Sequence, residues 1–254
     1  MKIIQVSDLH LRIPGEKLLG IDPLARLEDC IADLNRNHAD ADLVVFSGDL
    51  ANDGEPPAYA ALAQRLAGLT APFRLMLGNH DDRIAFRAAF PDAPVEEGFV
   101  QSALDLPDGR IVLLDTLEPG HVEGRLCEAR LAWLDAALAD AQGALLFLHH
   151  PPFPIGVPSL DKWRLSDAER LRDILIRHNN VRHVFAGHVH RFAAGSWSGI
   201  PFVTVRATSL QSALRFSGPH EVSFEAPAYA VILADSENII VHMHEFPCRN
   251  PAGI

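Results

Sequence analysis

Leu43-Val44-Val45-Phe46-Ser47-Gly48-Asp49 is an apolar run that stops abruptly in a glycine and a carboxylate. A strand with one wet face alternates apolar and polar residues, so a continuous run of this length predicts a strand buried on both faces. The pattern recurs. Ile3 to Val6 leads into Ser7-Asp8-Leu9-His10, Leu75 to Leu77 into Gly78-Asn79-His80-Asp81, Leu145 to Leu148 into His149-His150, and Val181 to Ala186 into Gly187-His188-Val189-His190. Between these runs Leu, Ile and Ala return at three- and four-residue spacing, which predicts helices near 23–37, 57–68, 128–141 and 166–178. Asp22-Pro23 and Glu55-Pro56-Pro57 look like helix starts, and Ser166 with Glu169 has the spacing of a capping box. Alternating strands and helices predict an α/β fold, whose ligands gather beyond the carboxyl ends of the strands, where each polar cluster falls. Further apolar segments at 99–104, 111–114, 202–205, 228–233 and 239–244 follow, some with no long helix between them. Two mixed β-sheets packed as a sandwich and flanked by helices are therefore expected, rather than one parallel sheet.

The 254 residues suffice for one sizeable core, and no shift in composition marks a boundary, so a single domain over 1–254 is expected. A formal net charge of −11 repels polyanions and argues against a nucleic-acid polymer as partner. Any phosphate must be met by local chemistry. Cys30, Cys127 and Cys248 are too few and too scattered for a disulfide framework or a thiolate zinc site. Met1-Lys2-Ile3-Ile4 turns polar at Ser7, too soon for a signal-peptide core, and runs such as 144–148 are far short of the roughly 20 residues of a membrane helix. A cytoplasmic protein with no membrane partner is expected. The stretch 207–225 lacks periodicity, carries Gly218-Pro219, and offers no pattern that would bury Phe216 and Phe224. It reads as a loop that caps the site or makes a homo-oligomer contact.

A lone Asp or His at a strand end is ordinarily a cap or a solvated group. Five such clusters in succession, each following a buried run, are not explained that way. Imidazole, carboxylate and amide oxygen together suit borderline metals such as zinc, iron, manganese or cobalt, better than copper(I) or calcium. The glycines at 48, 78 and 187 let backbone approach closely without a Cβ clash.

In order, Asp8-Leu9-His10, Gly48-Asp49, Gly78-Asn79-His80-Asp81, His149-His150 and Gly187-His188-Val189-His190 resemble the motif series of the calcineurin-like metallophosphoesterases, D-x-H, G-D, G-N-H-D, H-H and G-H-x-H. The wording of 7–19, 78–83 and 149–161 is similar to the bacterial branch that holds glycerophosphodiesterases and class III cyclic-nucleotide phosphodiesterases. The resemblance implies two metal ions, iron, manganese, zinc or cobalt. Asp8, His10, Asp49 and His190 would surround the first, and Asp49, Asn79, His149 and His188 the second, with Asp49 as bridge. His149 is taken as the ligand because it directly follows the run 145–148, and His150 is the alternative. The resemblance further implies that His80 is a catalytic histidine outside the ligand set, touching substrate together with Asn79, and that Asp81 is the carboxylate orienting it. Arg12 is a further substrate-binding candidate, ahead of Arg206 and Arg215, although ion pairing is the commoner fate of an arginine.

The implied reaction is hydrolysis of a small-molecule phosphodiester by a hydroxide shared between two cations about 3.5 to 4 Å apart. A phosphomonoesterase would need the same two metals. A silent metal-binding scaffold would be expected to have shed ligands, and none of the seven positions departs from the pattern.

Overall fold

The computed structural model describes residues 1–249. In chain order the elements are β1 (Lys2–Val6), α1 (Pro23–Asn37), β2 (Leu43–Ser47), α2 (Pro56–Leu66), β3 (Phe73–Met76), α3 (Arg83–Ala89), β4 (Ser102–Leu106), β5 (Gly109–Leu114) and α4 (Glu128–Leu138). There follow β6 (Ala144–Leu148), α5 (Pro158–Asp161), α6 (Ala168–His178), β7 (Val181–Ala186), β8 (Ala193–Trp197), β9 (Ile200–Thr204), β10 (Gln211–Ser212), β11 (Val222–Ser223), β12 (Ala228–Ala234) and β13 (Ile239–Glu245). One large sheet has the order β13-β12-β1-β2-β3 and the other β4-β5-β6-β7-β9-β8, while β10 and β11 form a small hairpin. Both large sheets are mixed. β1, β2 and β3 run parallel, with β12 antiparallel to β1. β5, β6, β7 and β9 run parallel between two antiparallel edges. The expected two-sheet α/β sandwich is the one found.

The reason lies in the two-faced strands. In β2, Leu43 and Val45 join the layer between the sheets with Ile111, Leu145, Phe147 and Phe185. Val44 and Phe46 face the other way, into a layer with Leu27 and Leu34 of α1 and Leu62 of α2. On the far side Val112, Leu114 and Leu146 pack beneath Leu131 and Leu134 of α4 and Leu171 and Leu175 of α6. Burying each such side chain contributes about 1.5–3 kcal/mol, so the layer order helix, sheet, sheet, helix follows from the runs themselves.

Local signals succeed where no neighbour competes. Asp22 accepts the Ala25 N–H and Pro23 opens α1, as expected. The capping box at Ser166 does not form: α6 begins at Ala168, with Asp167 before it. The Ser166 N–H donates to the Gly124 carbonyl and Asp167 accepts from the Leu126 N–H, so both residues serve the preceding loop. The stretch 207–225 is only partly a loop. Ala207 to Ser212 are buried apart from their neighbours' exposed turn, and Gln211–Ser212 pair with Val222–Ser223. Among the described residues no helix is long and apolar enough to cross a membrane.

β1, β2 and β3 of one sheet and β6 and β7 of the other release the chain at one shared rim, which brings the polar clusters together.

Candidate metal centre

Asp8, His10, Asp49 and His190 present ligand atoms that all lie within 4.8 Å of one another, and His149, His150 and His188 form a second such group. In the first, His190 Nε2 stands 3.2 Å from Asp8 Oδ1 and 3.0 Å from His10 Nε2, and His10 Nε2 is 3.5 Å from Asp49 Oδ2. The groups meet at Asp49, whose Oδ2 is also 3.3 Å from His149 Nε2. Two imidazoles are braced from behind. The Nδ1–H of His149 donates to the Ser47 carbonyl at 2.8 Å, and that of His190 to the Leu210 carbonyl at 2.7 Å. Each brace leaves Nε2, with its lone pair, directed into the cluster.

The donor set fits a metal. Buried polar groups nearly always find a partner, yet His149 Nε2, both ring nitrogens of His188, His150 Nε2 and Asn79 Oδ1 have none. The backbone has also been bent to make the cluster: Asp8, His10, Asp49, His188 and His190 all have positive φ, between 48° and 69°. Left-handed backbone costs a residue with a Cβ about 1–2 kcal/mol, so five such residues in one cluster indicate a functional constraint. Two glycines make the approach possible. A Cβ on Gly78 would run into Asp49 Oδ1 and stand 2.5 Å from His149 Nε2, and Gly48 has φ +100° with the His149 ring against it.

The electrostatics show how strongly the carboxylates call for positive charge. Burial presses His149 toward neutrality, but Asp49 and Asp8 outweigh it and lift its pKa to about 9. His10 and His188, where burial dominates, are pushed down to about 3 and stay neutral, as ligands must.

Residues 1–192 match the calcineurin-like phosphoesterase family. The chain belongs to that family. Among its relatives, one named "Probable cyclic nucleotide phosphodiesterase" from Rhodopseudomonas palustris is 41% identical, covering 99% of this chain and 94% of its own. The 3′,5′-cyclic adenosine monophosphate phosphodiesterase CpdA of Escherichia coli K12 is 32% identical over 83% of this chain and 77% of its own. The glycerophosphodiester phosphodiesterase GpdQ of Enterobacter lignolyticus is 33% identical over 215 residues, which are 82% of this chain and 77% of its own. A dimetal phosphatase from Danio rerio shares the fold, with TM-score 0.74 over 96% of each chain at 17% identity.

In this phosphoesterase His80 sits at the rim, its Nδ1–H donating to the Asn52 carbonyl at 2.7 Å and its ring edge-on to His10 with centroids 4.7 Å apart. Asp81 lies elsewhere than the resemblance implied. Its buried carboxylate accepts from the N–H groups of Leu50, Ala51 and Gly78 and from the Tyr59 hydroxyl, leaving the Asn52 carbonyl to orient His80. Burial, followed by the charge of Asp49, raises the Asp81 pKa to about 6. Arg12 is paired with Glu16 and Asp53, Arg206 with Glu245, and Arg215 with Glu221, so none of the three arginines stands free. His150 is brought to the cluster, but its Nδ1 lies 2.7 Å from Thr116 Oγ1. Thr116 went unread in the sequence because it lies 34 residues from His150 with no motif around it, and the bracing carbonyls of Ser47, Asn52 and Leu210 because a backbone carbonyl carries no residue signature.

Proposed function

We propose that this phosphoesterase hydrolyses small phosphodiesters to a monoester and an alcohol, using two transition-metal ions held where its two sheets meet. The observation that carries this reading is the pair of close-set His and Asp groups joined at Asp49, the second of which holds imidazole nitrogens shut off from water with no hydrogen-bond partner. Asp8, His10, Asp49 and His190 are assigned to one ion, and Asp49, Asn79, His149 and His188 to the other. His149 is preferred to His150 because its braced Nε2 faces Asp49, whereas His150 is engaged with Thr116. Mixed nitrogen and oxygen donors suit iron, manganese, zinc or cobalt.

Bound there, two cations supply Lewis acidity to the phosphoryl oxygens and make water acidic enough to serve as nucleophile near neutral pH. Asn79 and His80 are the chain's own contacts to substrate. Because the Asn52 carbonyl can only accept, His80 Nδ1 carries a proton, and Nε2 of the protonated ring is the atom left to protonate the departing alkoxide. Preference for a diester is supported by the relatives named as cyclic-nucleotide and glycerophosphodiester phosphodiesterases. The exposed Leu214, Phe216 and Phe224 beside the β10–β11 turn support a homo-oligomer, and three free thiols support a reducing, cytoplasmic setting.

Chelation followed by reloading with manganese or zinc tests the reading, with rates compared on bis(p-nitrophenyl) phosphate and p-nitrophenyl phosphate. Activity should vanish on stripping, return as metal is restored, and favour the diester. Full turnover without metal, or a monoester rate equal to the diester rate, would refute it.

A further inference from the structure

Arg26 stands near the start of α1 and is 4% exposed, a setting in which a cation is costly unless something answers its charge. Asp29 is near enough to favour that charge, yet it pairs with Arg249 instead. Arg26 Nε has no hydrogen-bond partner. What the guanidinium does meet is main chain: Nη1 donates to the Ser209 carbonyl at 2.9 Å and, more weakly, to the Thr208 carbonyl at 3.4 Å.

That main chain is the buried turn between β9 and β10, and the turn stands directly behind one half of the metal centre. The Thr208 N–H donates to the Ser7 carbonyl at 3.1 Å, and Ser209 Oγ donates to the Asp8 carbonyl at 2.8 Å. The next carbonyl, of Leu210, takes the His190 Nδ1 proton. Gln211 closes the turn on itself, accepting from the Ala207 N–H and donating to the Ala207 carbonyl. Asp8 and His190 both have positive φ, at 56° and 48°, so each needs an outside hold to keep its place. His149, in the other half of the centre, is braced from Ser47 instead.

We propose that Arg26 is a positioning residue for the ion assigned to Asp8, His10, Asp49 and His190, fixing the 208–210 turn and through it the main chain of Asp8 and the ring of His190. The inference rests on that ligand assignment. Hydrogen bonds from a charged donor are the strong ones, and two adjacent carbonyls held by one nitrogen cannot slip past each other. Replacing a buried ion by an apolar side chain of like volume is often neutral or stabilising, so packing alone gives no reason for a cation here. A turn that must hold two ligands in register does.

The test titrates the metal-stripped full chain with cobalt(II) by calorimetry in two backgrounds. His188→Ala leaves the Asp8 and His190 group to bind, and His10→Ala leaves the His149 and His188 group. Adding Arg26→Met should raise Kd about 10- to 100-fold in the first background, as loss of a ligand-orienting partner does, and leave it unchanged in the second. Ser209→Ala, which removes the bond to the Asp8 carbonyl and no charge, should raise Kd in the first background by a smaller factor. Should Arg26→Met not fold, Ser209→Ala decides. Equal weakening in both backgrounds, or none in the first, overturns the role of Arg26 and leaves the metal assignment standing. A wild type that takes up no cobalt overturns the metal assignment and the role of Arg26 with it.

Discussion

Imidazoles at the metal centre are aimed by what lies behind them. His149, His190 and His80 each give the Nδ1 proton to a backbone carbonyl, of Ser47, Leu210 and Asn52 respectively, and each presents Nε2 to the chemistry. For the first two, Nε2 ends among carboxylates; for His80, Nε2 is the atom we propose meets the substrate. His80→Ala should therefore keep its metal but lose turnover, by about 10²- to 10⁴-fold on a diester with an alkoxide leaving group. The loss should be much smaller on a nitrophenyl ester, whose leaving oxygen needs little protonation. Metal analysis beside kinetics on both substrates checks this, and equal losses would mean that His80 positions phosphate instead. The residue types of the site were legible in the sequence. Their tautomers were not, since the acceptors that fix them are main-chain atoms on distant segments.

Elements meet at Asp81. Its carboxylate ties the loop after β2, through Leu50 and Ala51, to the loop after β3, through Gly78, and takes the hydroxyl of Tyr59 from α2. Those loops carry Asp49 and Asn79, so Asp81 fixes the spacing between two assigned ligands while touching no assigned one through its side chain. Asp81→Ala would strand several buried donors at about 1–3 kcal/mol each, discounted for water entering the gap. We expect a net loss of about 3 kcal/mol, seen as a fall of roughly 6–12 °C in Tm by calorimetry. An unchanged Tm with lost turnover would instead return Asp81 to the role of orienting His80. The helix spans were readable because they depend on local periodicity, as at α1. The failed capping box at Ser166 shows the limit: its N–H had a tertiary acceptor, Gly124, that no local pattern announces.

At the scale of the whole molecule, the inter-sheet layer contains one group whose charge opposes folding. His183 on β7 is buried, stacked on Phe185 with centroids 4.2 Å apart, and burial lowers its pKa from 6.5 to about 4. The folded pKa lies below the unfolded one, so as pH falls through 6.5 the unfolded chain takes up a proton that the folded chain refuses until about pH 4. Stability is thus unaffected above pH 6.5 and is lost progressively across that window. Between pH 7 and 5 the wild type should lose about 2 kcal/mol more than His183→Phe in urea unfolding, and equal losses would refute the assignment. The same layer marks what each level decided. By itself the sequence determined the two-faced strands, the helices between them, the mixed two-sheet sandwich and the residue types gathered at strand ends, because burial periodicity and donor chemistry are local properties. Only the tertiary structure decided which ends converge, which nitrogen each histidine presents, that Asp81 braces loops, and that Arg26 reaches the turn behind Asp8 and His190. Those depend on contacts between segments far apart in the chain, and there the packed sheets hold five residues with side chains in a left-handed backbone that their own preferences disfavour.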